Sequence, residues 1–258
     1  MSLYNVKSAD RANFTFTYSG KTSTGLVRER NEDSFICLPE QNLWIVADGM
    51  GGHDAGDFAS STITEQAAKY HQQATLDASI LLLEENLLQS NRLIQQKAQK
   101  LGRQSTIGST VVCLYNWNHL SFVLWAGDSR VYRFRDHSLQ RLTEDHSFVE
   151  ELVRMGKIDA SEAESHPAAN VVLNAVGIET DLVIDMDYSE IQDNDLFLLC
   201  SDGLYKDLND EKIIQILDNV ELTLDQTSQR LIEAALDMGG SDNCTVVLVK
   251  AKIEEKDV

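Results

Sequence analysis

Five aspartates of this chain could together form a metal site. They are Asp33, Asp48, Asp128, Asp202 and Asp242, and each stands next to a glycine, a serine or an asparagine. Ionised carboxylates are costly to bury without partners, so several that meet where core strands end require cations. All-oxygen ligation selects hard ions, which predicts Mg²⁺ or Mn²⁺. A strand-ending turn is the better explanation of any single motif, but five motifs in one chain favour the metal site.

Two segments add groups that could hold an anion beside these carboxylates. The glycine-rich run 49–52 follows Asp48 and removes side chains from the backbone, so that a carbonyl or an anion can approach closely. Arg28 lies within six residues of Glu32 and Asp33. A guanidinium offers forked donors to a phosphate while carboxylates bind cations, so this segment predicts a site for both metal and phosphate.

The spacing of apolar residues indicates which elements carry these groups. Strands are predicted at 13–18, 35–38, 43–47, 109–115, 120–126, 130–135, 182–186, 196–200 and 243–251. Helices are predicted at 54–71, 77–101, 148–155, 209–218 and 222–238. Strands and helices come in blocks rather than in alternation, which predicts an α+β fold with antiparallel sheets flanked by helix pairs.

The domain organisation follows from the same pass along the chain. No repeat, low-complexity tract or Pro/Gly linker divides the sequence, so residues 1–258 are predicted to form one domain with a core at about 12–251. Residues 145–170 are polar and weakly patterned, and an insertion of this kind is often a functional lid.

Composition excludes several classes of function. The chain has 258 residues, 43% of them hydrophobic, which is ample for a core. It carries 22 basic and 41 acidic residues, a net charge of −19, and therefore repels nucleic acid and anionic membranes. A negative field also concentrates divalent cations, although acidity that only aids solubility explains the composition equally well.

The cysteines and the apolar runs predict where the protein works. The four cysteines are isolated from one another in the sequence, and we interpret them as reduced core residues of a cytosolic protein: Cys37, Cys113, Cys200 and Cys244. A catalytic thiol at Cys200 is the alternative, but its neighbours are typical of a strand interior. We find no signal peptide and no apolar run of transmembrane length, so we expect a cytoplasmic protein. We also expect a monomer.

Taken together, the motifs resemble those of the metal-dependent Ser/Thr protein phosphatases of the 2C type, in particular their short bacterial branch. They occur in the family's order from about Thr22 to Lys250, nearly the whole chain. The matching segments are Gly25-Leu26-Val27-Arg28 with Asn31-Glu32-Asp33, Ala47-Asp48-Gly49-Met50-Gly51-Gly52-His53, Gly108-Ser109-Thr110, Ala126-Gly127-Asp128-Ser129-Arg130, Ser201-Asp202-Gly203-Leu204 and Ser241-Asp242-Asn243.

The resemblance implies a four-layer α-β-β-α sandwich whose two central antiparallel β-sheets carry a binuclear Mn²⁺ or Mg²⁺ centre at one end. Asp48 would bridge both ions, and the Gly49 carbonyl would bind one of them. Asp202 and Asp242 would complete the ligands of the first ion. Glu32 would reach the second ion directly or through water.

Three further residues have implied roles at this centre. Asp33 would support the cluster, and Arg28 matches the family's phosphate-binding arginine. Asp128 matches the aspartate that, with Asp202, holds a third and weaker ion in bacterial members. Two divalent ions would then activate a water molecule that attacks phosphorus, while Arg28 and the metals neutralise the phosphoryl oxygens.

The chain departs from the family pattern at two places. Animal members have a histidine, the proposed general acid, where this chain has Met50, and His53 three positions on is the candidate here. A metal-bound water is an equally good candidate. The lid at 145–170 resembles the family's flap, but Asn174 stands where bacterial relatives usually carry an arginine, which puts the flap's substrate contacts in question.

The predicted activity is the hydrolysis of phosphoserine and phosphothreonine in proteins, opposing a bacterial Ser/Thr kinase, with that kinase or its substrates as partners. A catalytically silent module that binds phosphoproteins is the alternative from another class. Such proteins lose metal ligands, and here all are present. A metal-dependent phosphodiesterase is a third possibility, but it should need basic nucleic-acid contacts that this chain lacks.

Overall fold

The computed structural model describes residues 13–51, 55–102, 107–163 and 166–254. Its strands are β1 Phe14–Ser23, β2 Asp33–Leu38, β3 Leu43–Gly51, β4 Ile107–Ser109, β5 Val111–Trp117, β6 Leu120–Ala126, β7 Arg130–Arg135, β8 Ser138–Arg141, β9 Asp185–Glu190, β10 Leu196–Cys200 and β11 Cys244–Ile253. Its α-helices are α1 Gly56–Ala67, α2 Leu76–Leu101, α3 Phe148–Arg154, α4 Ala160–Ala163, α5 Asp202–Tyr205, α6 Asp210–Leu217 and α7 Leu224–Asp237. A short 3-10 helix lies at Pro39–Gln41.

The strands form two antiparallel sheets. The five-stranded sheet has the order β1-β11-β10-β7-β8. The six-stranded sheet has the order β2-β3-β5-β6-β9, and β4 pairs with the far end of β3. Every pairing is antiparallel, as expected when strands follow one another without crossover helices.

Side-chain alternation along the central strands builds three apolar layers. Ile45 of β3 packs against α1 and α2, whereas its neighbour Trp44 faces the other sheet. In β11, Leu248 packs with α6 and α7 while Val247 points into the space between the sheets. Since successive side chains point to opposite faces, strands buried on both faces must be apolar throughout. The result is a four-layer α-β-β-α sandwich, which confirms the predicted fold class.

Most predicted elements are confirmed, but one strand is wrong. The predicted strand at 182–186 is irregular up to Ile184, and β9 begins only at Asp185. Leu182 is buried because it packs against the α1 and α2 side of the six-stranded sheet, not because it pairs in a ladder. The true strand is an edge strand with a mostly exposed, polar sequence, so it lacks the apolar pattern that identifies a strand. The short elements β4, β8, α4 and α5 were not predicted, and the predicted strand at 109–115 corresponds to β5.

The predicted lid contains two helices joined to the sandwich by backbone hydrogen bonds. α3 begins with Ser147, whose side chain caps the helix, and the chain turns at Gly156, which has φ of +65°. The Phe148 amide donates to the Val171 carbonyl at 2.8 Å, so the two ends of the segment are held together.

Two further features bear on the predicted setting. Among the described residues, no helix is both long and apolar enough to cross a lipid bilayer. The four cysteines are unpaired, and three of them are fully buried. Burial raises the pKa of each thiol, that of Cys37 to about 12, so none of them is a ready nucleophile at neutral pH.

Candidate metal centre

Strand pairing brings the first two carboxylates together. Asp33 opens β2 and is the direct cross-strand partner of Asp48 in β3. The sequence predicted that Asp48 ends its strand, but β3 continues to Gly51 because β4 supplies it with new hydrogen-bonding partners. The Asp48 carbonyl accepts from the Thr110 amide at 2.9 Å. Asp48 is therefore fixed inside a ladder rather than on a loop.

Gly49 is required by close packing around this strand. A Cβ at this position would lie 2.1 Å from the Gly56 carbonyl oxygen and 2.5 Å from that of Glu32, so no larger residue fits. The Gly49 amide donates to the Glu32 carbonyl at 3.1 Å, which fixes Glu32 beside Asp48. Burial raises the pKa of Glu32, and a hydrogen bond from the Gly56 amide at the start of α1 opposes that rise.

The other sheet supplies carboxylates from two neighbouring strands. β10 ends at Cys200, directly before Ser201 and Asp202, and β11 begins at Cys244, two residues after Asp242. Since β10 and β11 are antiparallel neighbours, the end of one and the beginning of the other lie at the same edge of the sheet. The two remote motifs are thereby placed side by side.

Asp33 connects the two sheets at this edge. Its Oδ2 accepts hydrogen bonds from Ser201 Oγ at 2.8 Å and Thr245 Oγ1 at 2.7 Å. Its Oδ1 is buried, and no described group hydrogen-bonds to it. Burial raises the pKa of Asp33 to about 7, and these two hydrogen bonds oppose the rise. One oxygen of a buried carboxylate is thus left in need of a cation or a proton.

Burial and neighbouring negative charge also raise the pKa values of Asp48 and Asp128. Burial raises the pKa of Asp48 well above its ordinary value, and the carboxylates of Asp33 and Asp202 raise it further. Burial, followed by the charge of Asp202, raises the pKa of Asp128 to about 7. The described protein groups at this edge therefore do not compensate the negative charge that five aspartates would carry at neutral pH.

Arg28 stands at the rim of this cluster. Its Nη2 donates to Asp242 Oδ2 at 2.7 Å, and 56% of its side chain is exposed to solvent. The hydrogen bond to Asp242 raises the pKa of Arg28. Asn243 holds the loop that carries Arg28, since its Nδ2 donates to the carbonyls of Thr24 and Arg30 at 2.8 Å each. The guanidinium is thus anchored by one carboxylate and open to solvent.

Asp128 lies in a tightly held turn and is 5% exposed. Its carbonyl accepts from the Tyr205 hydroxyl at 2.9 Å. The neighbouring Gly127 makes two hydrogen bonds with His146. The Gly127 amide donates to His146 Nδ1, and the His146 amide donates to the Gly127 carbonyl. Asn174, which departs from the family pattern, donates to the same His146 Nδ1 at 2.9 Å. The segment that follows the predicted flap therefore braces the Asp128 turn.

Sequence reasoning missed Lys206. Its Nζ donates to Asp202 Oδ2 and, at 2.8 Å, to Asn170 Oδ1 in the predicted flap. Burial by itself lowers the pKa of Lys206, but the carboxylates of Asp202 and Asp128 outweigh that effect and the pKa is raised. The spacing of four residues between an aspartate and a lysine is the signal that could have found this pair. Asp207, also missed, has a buried oxygen with no described partner.

The arrangement fits divalent cations, although the ligand set is not closed. Among the described residues, no three acidic, histidine or cysteine side chains form a ready-made metal-binding group. Arg28 and Lys206 instead pair with Asp242 and Asp202. The donors are nevertheless all oxygens, and one buried oxygen of Asp33 lacks a partner. His53 lies outside the described residues.

Comparison with known proteins agrees with this geometry. The family model for protein phosphatase 2C matches residues 26–237. The serine/threonine phosphatase stp of Listeria monocytogenes is 35% identical over 247 residues, which cover 92% of this chain and 96% of that protein. The serine/threonine protein phosphatase PstP of Mycobacterium tuberculosis is 35% identical over 240 residues, which cover 92% of this chain and 45% of that protein.

Solved structures with similar folds include PppA, a key regulatory component of T6SS in Pseudomonas aeruginosa. It has a TM-score of 0.85 and 36% identity, and the match covers 93% of this chain and 100% of that one. The catalytic domain of PstP, solved in complex with two manganese ions, has a TM-score of 0.80 and 32% identity, with 93% of this chain and 99% of that one covered.

Proposed function

Because the chain belongs to the protein phosphatase 2C family, as its motifs predicted, we propose that it hydrolyses phosphoserine and phosphothreonine in proteins with divalent metal ions as cofactors. The observation that carries this proposal is the edge where Asp33, Asp48 and Asp202 meet. Among the described residues Asp202 has a basic partner, Lys206, but Asp33 and Asp48 have none, and Arg28 stands partly open to solvent beside them. A cluster of this kind requires cations before it can receive a phosphate.

Five residues would hold two core ions. The Asp48 carboxylate would bridge them and the Gly49 carbonyl would bind one, which agrees with the close backbone approach around Gly49. Asp202 and Asp242 would complete one ion's ligands, and Glu32 would serve the other. The ions would supply the Lewis acidity that activates water for attack on phosphorus. PstP was solved with two manganese ions, and we propose Mn²⁺ or Mg²⁺ for this chain.

Arg28 would bind and neutralise the phosphoryl oxygens. It holds its position through Asp242 while most of its surface faces solvent, so a phosphate can reach its remaining donors. Asp33 would not need to contact substrate. Its hydrogen bonds to Ser201 and Thr245 join the two sheets, and this keeps Asp48 and Asp202 at a fixed separation.

A third, weaker ion would lie between Asp128 and Asp202. The support is the burial of Asp128 and the rise in its pKa, to which the charge of Asp202 contributes. The alternative is that Asp128 only caps its turn. Replacing Asp128 by alanine separates the two, because a lost ion lowers turnover while a lost cap lowers only the melting temperature.

Residues 145–170 would act as the flap over the substrate, within a single domain at 1–258. His53 or a water molecule would protonate the leaving serine oxygen. Partners would be proteins phosphorylated on serine or threonine, including a bacterial Ser/Thr kinase or its substrates, and the enzyme would act in the cytoplasm as a monomer. The comparisons above give no support to a catalytically silent module.

Phosphate release from a phosphothreonine peptide tests the proposal. We expect release that depends on added Mn²⁺ or Mg²⁺, stops with excess EDTA and returns when metal is restored. Thiol alkylation of the folded protein should leave phosphate release intact, because three cysteines are buried and burial raises the pKa of the fourth, Cys37, to about 12. Full turnover in excess EDTA, or loss of turnover on alkylation, would overturn the metal mechanism.

A further inference from the structure

Lys206 occupies an unusual place for a basic side chain. It follows α5 directly, and its ammonium group lies between the Asp202 carboxylate and Asn170 in the predicted flap. About a third of the side chain is exposed. A positive charge of the chain itself therefore stands within the proposed metal cluster and contacts the segment that would cover it.

The contact uses only one oxygen of Asp202. Lys206 donates to Oδ2, and no described residue hydrogen-bonds to Oδ1. The second oxygen is free to serve a core ion together with Asp48 and Asp242. A further ion between Asp202 and Asp128 would compete with an ammonium group that already bonds Asp202 and is attracted by the charges of both aspartates.

We propose that Lys206 is a built-in competitor of the outer metal ion, and that this ion binds Asp202 and Asp128 only when it displaces Lys206 and so releases Asn170. The proposal rests on the metal site of the proposed function. Lys206 would explain why the outer site binds its ion weakly. The ion must break the two hydrogen bonds of Lys206 and overcome the repulsion of its ammonium group.

The flap is coupled to the same event. Asn170 lies in a turn whose backbone is held at Val171 by hydrogen bonds to Ala168 and Phe148. Its side chain reaches across to Lys206, which links the flap to α5. When Lys206 leaves Asp202, its ammonium group is no longer held in place and no longer fixes Asn170. Binding of the outer ion should therefore loosen residues 166–173, and any contact that holds the flap down should weaken the outer ion by the same factor.

Titration calorimetry with Mn²⁺ alone tests the competition. We expect Lys206→Met to bind the weakest Mn²⁺ about tenfold more tightly than the wild type while the tighter sites keep their affinity. Lys212→Met is the matched control, because Lys212 has the same charge nearby in α6 and bonds only to Gln215 among the described side chains. Adding Asp128→Asn to Lys206→Met should abolish the gain.

The outcomes separate this inference from the proposed function. An unchanged weakest affinity in Lys206→Met, with the tight sites intact, would overturn the competition alone. A wild type that binds no Mn²⁺ at all would overturn the proposed metal enzyme instead. If the gain survives Asp128→Asn, the ion lies elsewhere and the proposal is wrong.

Hydrogen exchange supplies a second readout that does not depend on Lys206→Met folding well. In the wild type, exchange of residues 166–173 should rise as Mn²⁺ fills the weakest site. Asn170→Ala should show the raised exchange without added metal and little further change with it. Equal exchange of this segment in the wild type with and without saturating Mn²⁺ would overturn the coupling.

Discussion

The two ends of β10 present buried aspartates in opposite situations. Asp195 directly precedes the strand and is fully buried. Both of its oxygens accept from the Arg135 guanidinium at 2.6 Å, and Oδ2 also accepts from the Gln192 amide at 2.8 Å. Its charge is met by forked donors that the chain itself provides, which is the usual condition for a buried carboxylate.

At the other end of β10 the chain provides less counter-charge. Asp202 follows the strand and lies near Asp33 and Asp48, whose pKa values are raised by burial and by the charge of Asp202. Asp33 at this end is an aspartate and is buried, as Asp195 is, so neither residue type nor burial identifies a functional site. The functional site is identified by the lack of a basic partner for these carboxylates. Carboxylates with raised pKa values and no basic partner mark places where a ligand supplies the missing charge.

Replacing Asp48 by asparagine should cause the largest effect. The proposed bridging ligand loses its charge where no other described group can replace it, so we expect kcat to fall by about a thousandfold or more while the fold persists. Phosphopeptide turnover and Mn²⁺ calorimetry check this. Unchanged binding of two Mn²⁺ ions by Asp48→Asn would contradict the assignment.

Arg28→Ala should have the next largest effect. Arg28 would contribute one charge-assisted phosphate contact among several, so we expect kcat/KM to fall roughly a hundredfold, with KM raised and kcat lowered. Steady-state kinetics on a phosphothreonine peptide measure both. Arg133→Ala is a suitable control because Arg133 bonds Gln140 on the surface of β7, away from the cluster. A normal KM in Arg28→Ala would remove the phosphate-binding role.

Local sequence patterns were sufficient to predict many of the strands that carry the candidate metal centre. The bounds of β6, β7 and β10 coincide with the predicted strands because apolar runs end at turn residues there. The motifs at Asp128 and Asp202 therefore lie just after strand ends, as the sequence predicted. β9 failed because an exposed edge strand carries no apolar alternation.

Other features depend on contacts that no local pattern records. Asp33 meets Ser201 and Thr245, which lie 168 and 212 positions further along the chain. Whether Asp33 Oδ1 has a partner is decided by that packing, not by its neighbours in sequence. Lys206 and Asn170 likewise become partners only because the predicted flap folds back toward α5.

The opposite end of β10 gives a variant that should affect stability rather than catalysis. Asp195→Asn leaves the Arg135 fork without its counter-charge, and we expect a loss of roughly 2 kcal/mol in the free energy of unfolding, because Arg135 can partly rehydrate. Denaturant unfolding measures the loss. Turnover at a temperature where the variant is folded should stay near that of the wild type. A loss of Mn²⁺ binding in Asp195→Asn would contradict the contrast between the two ends.

The smallest expected effect is a pH dependence of the metal-free protein. The pKa of Asp33 rises from 3.8 to about 7 on folding. At pH values between these two, Asp33 is therefore protonated in the folded state and ionised in the unfolded state. The folded state is therefore favoured at low pH, and this contribution to stability is lost as the pH rises through about 7. Divalent ions should replace the proton as the compensating charge and restore stability at higher pH.

Thermal unfolding in EDTA at about pH 5 and about pH 8 measures this dependence. The melting temperature should be several degrees lower at the higher pH, and Mn²⁺ added after removal of EDTA should raise it again. Asp33→Asn should show a smaller difference between the two pH values, because asparagine carries no charge at either. The general repulsion within an acidic chain acts in the same direction in both proteins, so the difference between them reports Asp33 together with its effect on the pKa of Asp48. Equal pH dependence in the wild type and Asp33→Asn would mean that this carboxylate is compensated by the protein, as Asp195 is, and the contrast between the two ends of β10 would then rest on Asp48 alone.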